Sequence, residues 1–309
     1  MHCQTSRALK LSFWMIIAIA IYAANLSANP APDTSATRFS VEHRGLSTGR
    51  SIVFIPGLAT PGAVWDATAQ SFSASHDLHI ITLAGFGGLP AVDPIGPYLE
   101  LAVGALADYL DEAQLRDVVV VGHSLGAQVS LQLAAARPDI VTHVLVVDSA
   151  PFYAALFNPA ISPEAAKTYG TNLAMQMAAT PRDQFLAFAR RGIAVQSISD
   201  SGQELVMGYM SASDQATVAR AMGEVAGSDF RPGLTDVRSP VTVLAAWSEG
   251  VPYSSDQLLA IYENQYVGLP SVEVSIITGS RHFIMLDQPD AFIDALSQLL
   301  AVNQPGREG

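Results

Sequence analysis

Short runs of consecutive apolar residues, many of them β-branched, recur beyond Arg38 and alternate with longer helix-like stretches. Runs that are apolar at every position are typical of strands that are covered on both faces of a sheet. Their alternation with helices predicts the α/β class, with a mainly parallel central sheet flanked by helices. The predicted strands are Ser51–Ile55, His79–Leu83, Val118–Val121, Val144–Val147, Val241–Ala246 and Val272–Ile277.

Helices are predicted between these strands at Tyr98–Glu112 and Leu125–Arg137, and at the end of the sheet at Asp290–Leu300. The interval from 151 to 235 has no strand pattern and is rich in Ala, Met and aromatic residues. An insertion of this length between two strands is typical of a lid over a binding site, although a helical subdomain with no binding role has the same pattern. The helices predicted in it are Glu164–Ala178, Arg182–Arg190, Gly202–Ser211 and Asp214–Glu224.

The N-terminus has the pattern of a targeting segment. Arg7 and Lys10 precede an apolar run of 14 residues, Leu11–Ala24. A membrane-spanning helix needs about 20 apolar residues, so this run suits the core of a signal peptide. Cleavage after Ala28 would give a periplasmic or secreted protein with no stable membrane association. The alternative is an uncleaved N-terminal membrane anchor.

These patterns together predict five parts of the chain. The α/β core is made of two segments, and the insertion separates them. The predicted parts are a signal peptide at 1–28, a flexible leader at 29–37, an α/β core at 38–150 and 236–302, a helical lid at 151–235 and a C-terminal tail at 303–309.

Composition excludes several classes of protein. Of the 309 residues 50% are hydrophobic and 14% are charged, which is enough apolar content for a sizeable core and excludes a disordered chain. The net charge of −12 repels phosphate backbones, so we expect no nucleic-acid partner. The single cysteine, Cys3, excludes a disulfide scaffold and a thiolate metal site. No histidine pair has the spacing of H-E-x-x-H, and we expect no metal.

One motif carries candidate chemistry. Gly122-His123-Ser124-Leu125-Gly126 is a G-x-S-x-G sequence directly after four valines and directly before an alanine-rich helix. A serine hydroxyl is a weak nucleophile, so it needs exposure and a neighbouring base, and a sharp turn between strand and helix provides the exposure. The helix N-terminus adds backbone N–H groups that stabilise an oxyanion. Ser124 is therefore the candidate nucleophile.

From Phe39 to Leu300 the chain resembles the α/β-hydrolase superfamily, in its serine esterase and lipase-like branch. On this resemblance Ser124 matches the nucleophile, and Ile55-Pro56-Gly57-Leu58 matches the oxyanion loop, with Pro56 where a histidine is commoner. The resemblance implies that the N–H groups of Leu58 and Leu125 form the oxyanion hole. Ala84-Gly85-Phe86-Gly87-Gly88 resembles the family's D-x-x-G-x-G turn, with alanine in place of a structural aspartate.

The resemblance also implies the general base. In the superfamily the nucleophile, the acid and the histidine occur in that order along the chain. Gly279-Ser280-Arg281-His282 follows the last predicted strand and matches the family's G-x-x-H, so His282 is the candidate base. His123 is expected to point away from the site and to have a structural role.

Three carboxylates compete for the role of the triad acid. Glu249 follows the strand after the insertion, where family members carry their aspartate, and it is the preferred candidate. Asp148 ends the preceding strand, where some relatives hold the acid instead. Asp256, seven residues beyond Glu249, is the third candidate and needs the loop to fold back.

The resulting hypothesis is a serine hydrolase that cleaves carboxylic ester or related acyl bonds of a small, largely apolar substrate through an acyl-enzyme on Ser124. It needs no cofactor. Thioester, lactone and carbon–carbon bond hydrolysis and perhydrolysis use the same residues, so the sequence leaves them open. The alternative class is an inactive relative that binds a ligand or a protein. The sequence does not determine the oligomeric state.

Overall fold

The structure is a computed structural model that describes residues 38–92 and 96–302. The predicted signal peptide, leader and C-terminal tail lie outside these residues. None of the helices described is both long enough and apolar enough to cross a membrane.

Seven strands of the described residues form one sheet in the order β1-β3-β2-β4-β5-β6-β7. Strand β1 pairs antiparallel with β3 at one edge, and all other neighbours are parallel. The predicted α/β class is therefore confirmed. Each predicted strand is present, whereas β1 was not predicted. The strands are β1 Phe39–Gly45, β2 Arg50–Ile55, β3 His76–Leu83, β4 Val118–His123, β5 Val141–Val147, β6 Val241–Trp247 and β7 Val272–Thr278.

Helices cover both faces of the sheet, and a group of them lies between β5 and β6. Short 3-10 helices occur at Gly62–Trp65, Ile193–Val195 and Arg231–Asp236. The α-helices are α1 Asp66–Phe72, α2 Tyr98–Glu112, α3 Leu125–Ala136, α4 Tyr153–Phe157, α5 Pro163–Ala179, α6 Arg182–Gly192, α7 Asp200–Ala212, α8 Gln215–Gly227, α9 Ser255–Gln265, α10 Ile284–Asp287 and α11 Pro289–Val302.

The valine run of β4 shows why the central strands are apolar at every position. Val118 and Val120 belong to the core on one face of the sheet, and Val119 and Val121 belong to the core on the other. All four are completely buried. Full burial of one such side chain stabilises the fold by about 1.5–3 kcal/mol relative to exposure. A single polar residue in this run would face one of the two cores.

The insertion between β5 and β6 is helical, as predicted. Three of its four predicted helices fall within α5, α6 and α7, and the fourth overlaps α8 but begins one residue early, at the cap Asp214. Helix α5 begins where the Ser162 side chain accepts a hydrogen bond from the Ala165 N–H and Pro163 occupies the first turn. The side chains of Ser199 and Asp214 cap α7 and α8 in the same way. Local sequence signals therefore determine where these helices start.

Candidate active site

Ser124 stands on the turn between β4 and α3. Its backbone has φ 53° and ψ −118°, a conformation that costs a residue other than glycine of order 1–3 kcal/mol. The strand ends at His123 and the helix begins at Leu125, so Ser124 alone makes the turn. The side chain is partly exposed, whereas both neighbours are buried. The turn therefore lifts the hydroxyl above the carboxyl edge of the sheet, as the motif predicted.

The two glycines of the motif are required by close packing. A Cβ atom on Gly126 would lie 2.2 Å from the carbonyl oxygen of Ile55, and one on Gly122 would lie 2.3 Å from Oγ of Ser130. Real Cβ contacts of this length do not occur, because they are far inside the van der Waals distance. The absence of side chains at these two positions lets helix α3 approach the strand and the loop after β2.

His282 lies in the loop after β7, and its imidazole contacts a carboxylate. The Nδ1 atom of His282 is 2.7 Å from Oδ2 of Asp148, the residue that follows β5. Only 24% of the histidine side chain and 14% of the aspartate side chain are exposed. A hydrogen bond from Nδ1–H to the carboxylate leaves the lone pair on Nε2, which is the tautomer that a general base needs.

The structure brings Asp148, the alternative acid, to His282 and not Glu249, the preferred candidate. Strand β5 lies beside β4 in the sheet, and the Ser124 N–H donates to the carbonyl of Val147 at 3.0 Å, so Asp148 starts close to the nucleophile. Glu249 lies two residues beyond the end of β6 and is exposed, and Asp256 is exposed in the first turn of α9. The described hydrogen bonds link neither of them to His282.

The second oxygen of Asp148 is held from two sides. Oδ1 accepts hydrogen bonds from the N–H of Ala246 at 2.9 Å and from the hydroxyl of Tyr262 at 3.0 Å. Burial and the nearby charge of Asp148 raise the pKa of Tyr262 well above its ordinary value, so the phenol keeps its proton and remains a donor. Sequence reasoning missed Tyr262, because it lies on the unpredicted helix α9 and no local motif surrounds it.

His123 is completely buried, and its ring contacts His282 rather than pointing away from the site as expected. Its Nε2 atom is 2.9 Å from the backbone carbonyl oxygen of His282, and the two rings have centroids 4.6 Å apart. Phe283 packs against the same ring with centroids 4.6 Å apart. Complete burial and the neighbouring His282 lower the pKa of His123 well below its ordinary value, so its ring is neutral and Nε2–H donates to the carbonyl.

The loop after β2 reaches the serine. A Cβ atom on Gly57 would lie 3.2 Å from Cβ of Ser124, so this loop passes directly beside the nucleophile. Among the hydrogen bonds of the described residues, the backbone N–H groups of Leu58 and Leu125 have no acceptor. Two backbone donors without partners, one directly after Ser124 and one directly after Gly57, are the kind of group that stabilises a developing oxyanion. Their role as the oxyanion hole stays a prediction.

The insertion is hydrogen-bonded to the loop that carries His282. The carboxylate of Asp287 accepts from the hydroxyl of Ser197 at 2.6 Å, the N–H of Ile198 at 2.9 Å and the N–H of Arg281 at 2.8 Å. The N–H of Phe283 donates to the carbonyl of Gln196 at 2.9 Å. Residues on both sides of His282 are therefore anchored to segment 196–198 of the insertion or to Asp287.

The large apolar side chains of the insertion divide into two groups. Phe152 and Phe185 are buried, whereas Phe157 and Phe188 are 70% and 75% exposed. Phe157 packs edge-on against Tyr153 at the start of the insertion, with ring centroids 5.0 Å apart. Burial raises the pKa of the Tyr153 phenol, with smaller contributions from Tyr169 and from the charge of the nearby Asp148. The start of the insertion therefore brings aromatic surface towards the His282–Asp148 pair.

Comparison with known proteins identifies the family to which this sequence belongs. Residues 52–295 match the sequence profile of the alpha/beta hydrolase family. The chain belongs to this family. It is similar to a pimeloyl-[acyl-carrier protein] methyl ester esterase of Aeromonas hydrophila, with 25% identity over 265 residues, which cover 84% of this chain and 98% of the relative. The family and the names of its relatives support the prediction of an enzyme of the carboxylic ester hydrolase class.

Solved structures show the same fold. An esterase from Thermogutta terrifontis superposes with a TM-score of 0.68 at 19% identity and covers 85% of this chain and 93% of its own. An enol-lactonase from Burkholderia xenovorans superposes with a TM-score of 0.68 at 17% identity and covers 85% of this chain and 96% of its own. Both likenesses concern the fold alone, and they agree with the predicted α/β fold class.

Proposed function

We propose that this hydrolase cleaves carboxylic esters through an acyl-enzyme on Ser124. The observation that carries the proposal is the contact of 2.7 Å between His282 and Asp148, next to a serine on a strained strand-to-helix turn. Nε2 of His282 takes the Ser124 proton while Oγ attacks the ester carbonyl carbon. The tetrahedral intermediate then collapses, and the alcohol leaves with the proton from His282. Water, deprotonated by the same imidazole, releases the acid and restores the serine.

Asp148 has two tasks in this mechanism. It fixes the imidazole with the lone pair on Nε2, and it stabilises the imidazolium that forms when Ser124 loses its proton. The bonds from Ala246 and Tyr262 hold the carboxylate in place, so little reorganisation accompanies the proton transfer. The N–H groups of Leu58 and Leu125 would stabilise the negative charge on the former carbonyl oxygen.

We propose a small, largely apolar ester as the substrate. The exposed aromatic side chains of the insertion, including Phe157, support apolar contacts with the acyl or alcohol part. Arg281, next to His282, has its guanidinium bonded to the carbonyls of Ala194 and Ser197, so it is not directed at an anionic substrate. Because the names of the relatives include methyl ester esterases, methyl esters are the first substrates to test.

The test is hydrolysis of p-nitrophenyl and methyl esters across acyl lengths by the wild type and three variants. Ser124→Ala should abolish turnover. Asp148→Asn should lower kcat about 10³–10⁴-fold, because the carboxylate no longer fixes the His282 tautomer that has its lone pair on Nε2. Glu249→Gln removes an exposed carboxylate and is the matched control, so its kcat should stay within about twofold of wild type. Full activity in Asp148→Asn together with a large loss in Glu249→Gln would reassign the acid.

A fluorophosphonate probe separates an enzyme from an inactive relative that only binds. Labelling of Ser124 that disappears in Ser124→Ala supports the proposed nucleophile even if the ester panel lacks a good substrate. Parallel assays with thioesters and lactones then define the acyl bond. A folded wild-type protein that the probe does not label would overturn the proposal and favour the binding role.

A further inference from the structure

Three side chains of the types that bind metal ions meet where the edge strand β1 pairs with β3. His43 is the direct cross-strand partner of His79, and Asp77 lies two residues before His79 on the same face of β3. One potential ligand atom from each residue lies within 4.8 Å of the other two. Because the residues come from two strands that are separated in the sequence, the spacing of histidines along the chain does not predict the cluster.

The cluster has a preformed pair and an outer partner. Nε2 of His79 is 3.0 Å from Oδ2 of Asp77, and Nδ1 of His79 is 2.7 Å from the hydroxyl of Tyr109 on helix α2. In metal sites a ligating histidine commonly bonds its second ring nitrogen to a neighbouring oxygen, which fixes the ring orientation. Tyr109 has this position for His79, and its hydroxyl is also 3.4 Å from Nε2 of His43.

Burial makes the cluster closed on one side and open on the other. The side chain of His79 is 3% exposed and that of Asp77 is 17% exposed, whereas His43 lies exposed on the outer strand. An ion would thus have two ligands fixed by their surroundings and one ligand that can adjust. Solvent can reach the remaining coordination position.

We propose that His43, Asp77 and His79 bind one Zn²⁺ ion. Two imidazoles and one carboxylate form a common ligand set for zinc, which binds them at about 2.0–2.2 Å and therefore spaces ligand atoms roughly 3.3 Å apart in a tetrahedron. The pair His79–Asp77, at 3.0 Å, already approaches this spacing. Rotation of the exposed His43 side chain closes the third position, and water occupies the fourth.

This zinc site would stabilise the edge of the sheet and would take no part in hydrolysis. Asp77 and His79 lie in the first half of β3, whereas Ser124 follows the carboxyl end of β4. An ion that bridges His43 to β3 fastens the edge strand to the sheet through side chains, in addition to the backbone hydrogen bonds of the antiparallel pair. The property that reports the site is therefore thermal stability and metal stoichiometry.

The experiment is isothermal titration of ZnCl₂ into the full chain, after removal of any affinity tag and treatment with EDTA. We expect one ion per chain and a Tm that rises by roughly 5 °C or more when free Zn²⁺ exceeds Kd a hundredfold. His43→Ala and Asp77→Asn should each weaken binding at least tenfold and remove the rise in Tm. His76→Ala removes a neighbouring histidine that precedes Asp77 on β3, and it should bind like wild type.

Two results would overturn the proposal. One is wild-type protein that binds no Zn²⁺ in the titration and shows no change in Tm. The other is binding that persists at wild-type strength in both His43→Ala and Asp77→Asn, which would place the ion elsewhere. Replacement by Co²⁺ adds a spectroscopic check, because a tetrahedral site gives intense visible absorption that the His43→Ala variant should lack.

Discussion

The ring of His123 donates from Nε2 to the backbone carbonyl of His282, 2.9 Å away, and packs against the imidazole of the same residue with the two rings tilted by 48°. The residue before the nucleophile thus supports the main chain of the base. The serine turn and the histidine loop are far apart in the sequence, and this hydrogen bond connects them directly.

Loss of the His123 donor should lower kcat with little change in KM. In His123→Leu the buried carbonyl of His282 loses its partner and the loop shifts, and a displacement of about 1 Å at a reacting group can cost about 100-fold in rate. His123→Gln places an amide donor within reach of the carbonyl and should recover part of the rate. The measurement is kcat and KM for a p-nitrophenyl ester with melting curves for each variant. Equal rates in all three proteins would contradict a positioning role.

Asp287 should affect both the insertion and the base. Asp287→Ala removes the acceptor of three hydrogen bonds, from Ser197, Ile198 and Arg281, and should destabilise the protein by about 2 kcal/mol or more. We also expect faster amide hydrogen exchange at Ile198 and Arg281 and a lower kcat. Asp290→Ala, at an exposed aspartate in the first turn of α11, is the control. If exchange at Ile198 and Arg281 is unchanged in Asp287→Ala, the carboxylate does not anchor the two segments.

The free energy of unfolding should fall as the pH decreases from about 6.5 to 5. Burial lowers the pKa of His143 from 6.5 to about 4, and burial also lowers the pKa of His123. A histidine whose pKa is lower in the folded state stabilises the fold fully above pH 6.5. This contribution is lost as the pH falls towards the folded-state pKa, because the unfolded chain binds the proton first.

Denaturant unfolding at several pH values between 5 and 7.5 tests this dependence, because carboxylates with ordinary pKa values remain largely ionised in that window. His143→Gln keeps a polar side chain next to Thr242, to which Nε2 of His143 is hydrogen-bonded at 3.1 Å, and it should reduce the slope. A free energy of unfolding that is flat with pH in the wild type would show that these histidines are protonated as easily in the folded chain.

Two glycine-to-alanine substitutions should have opposite effects on stability. A Cβ on Gly126 meets the Ile55 carbonyl, so Gly126→Ala should destabilise the protein by several kcal/mol, of order 3, and abolish activity. Gly104 lies in the middle of α2 with nothing within 4 Å of its Cβ position, and Gly104→Ala should stabilise by about 0.5–1 kcal/mol. Chemical denaturation of both variants measures the difference. Equal stabilities would contradict the tight packing at the motif.

Strands that are buried on both faces could be predicted from the sequence, because every position of such a strand is apolar, as in the valine run of β4. Strand β1 could not, because Glu42, His43 and Arg44 interrupt its apolar positions and it is covered by neighbours on only one edge. The same limitation hid the cluster of His43, Asp77 and His79, which cross-strand pairing creates.

The serine and the histidine could be predicted, because each lies in a local motif next to a strand end. The partner of His282 could not be derived, since Glu249 and Asp148 both follow strands that end at the same edge of the sheet. The choice depends on how the backbone turns after each strand. Asp148 adopts φ 47° and its carboxylate bonds to Ala246, Tyr262 and His282, whereas Glu249 continues into solvent.

The bonds between segment 196–198 and the loop around His282 bear on how such enzymes diversify. Ser124 and Asp148 both precede the insertion, so recombination that replaces residues 151–235 leaves them on their own strands. The base does not share this independence, because Phe283 and Asp287 rely on acceptors and donors that the replaced segment supplies. An exchanged insertion must therefore place a backbone carbonyl where Gln196 has it and a hydroxyl where Ser197 has it, and this requirement limits which exchanged segments can yield active enzymes.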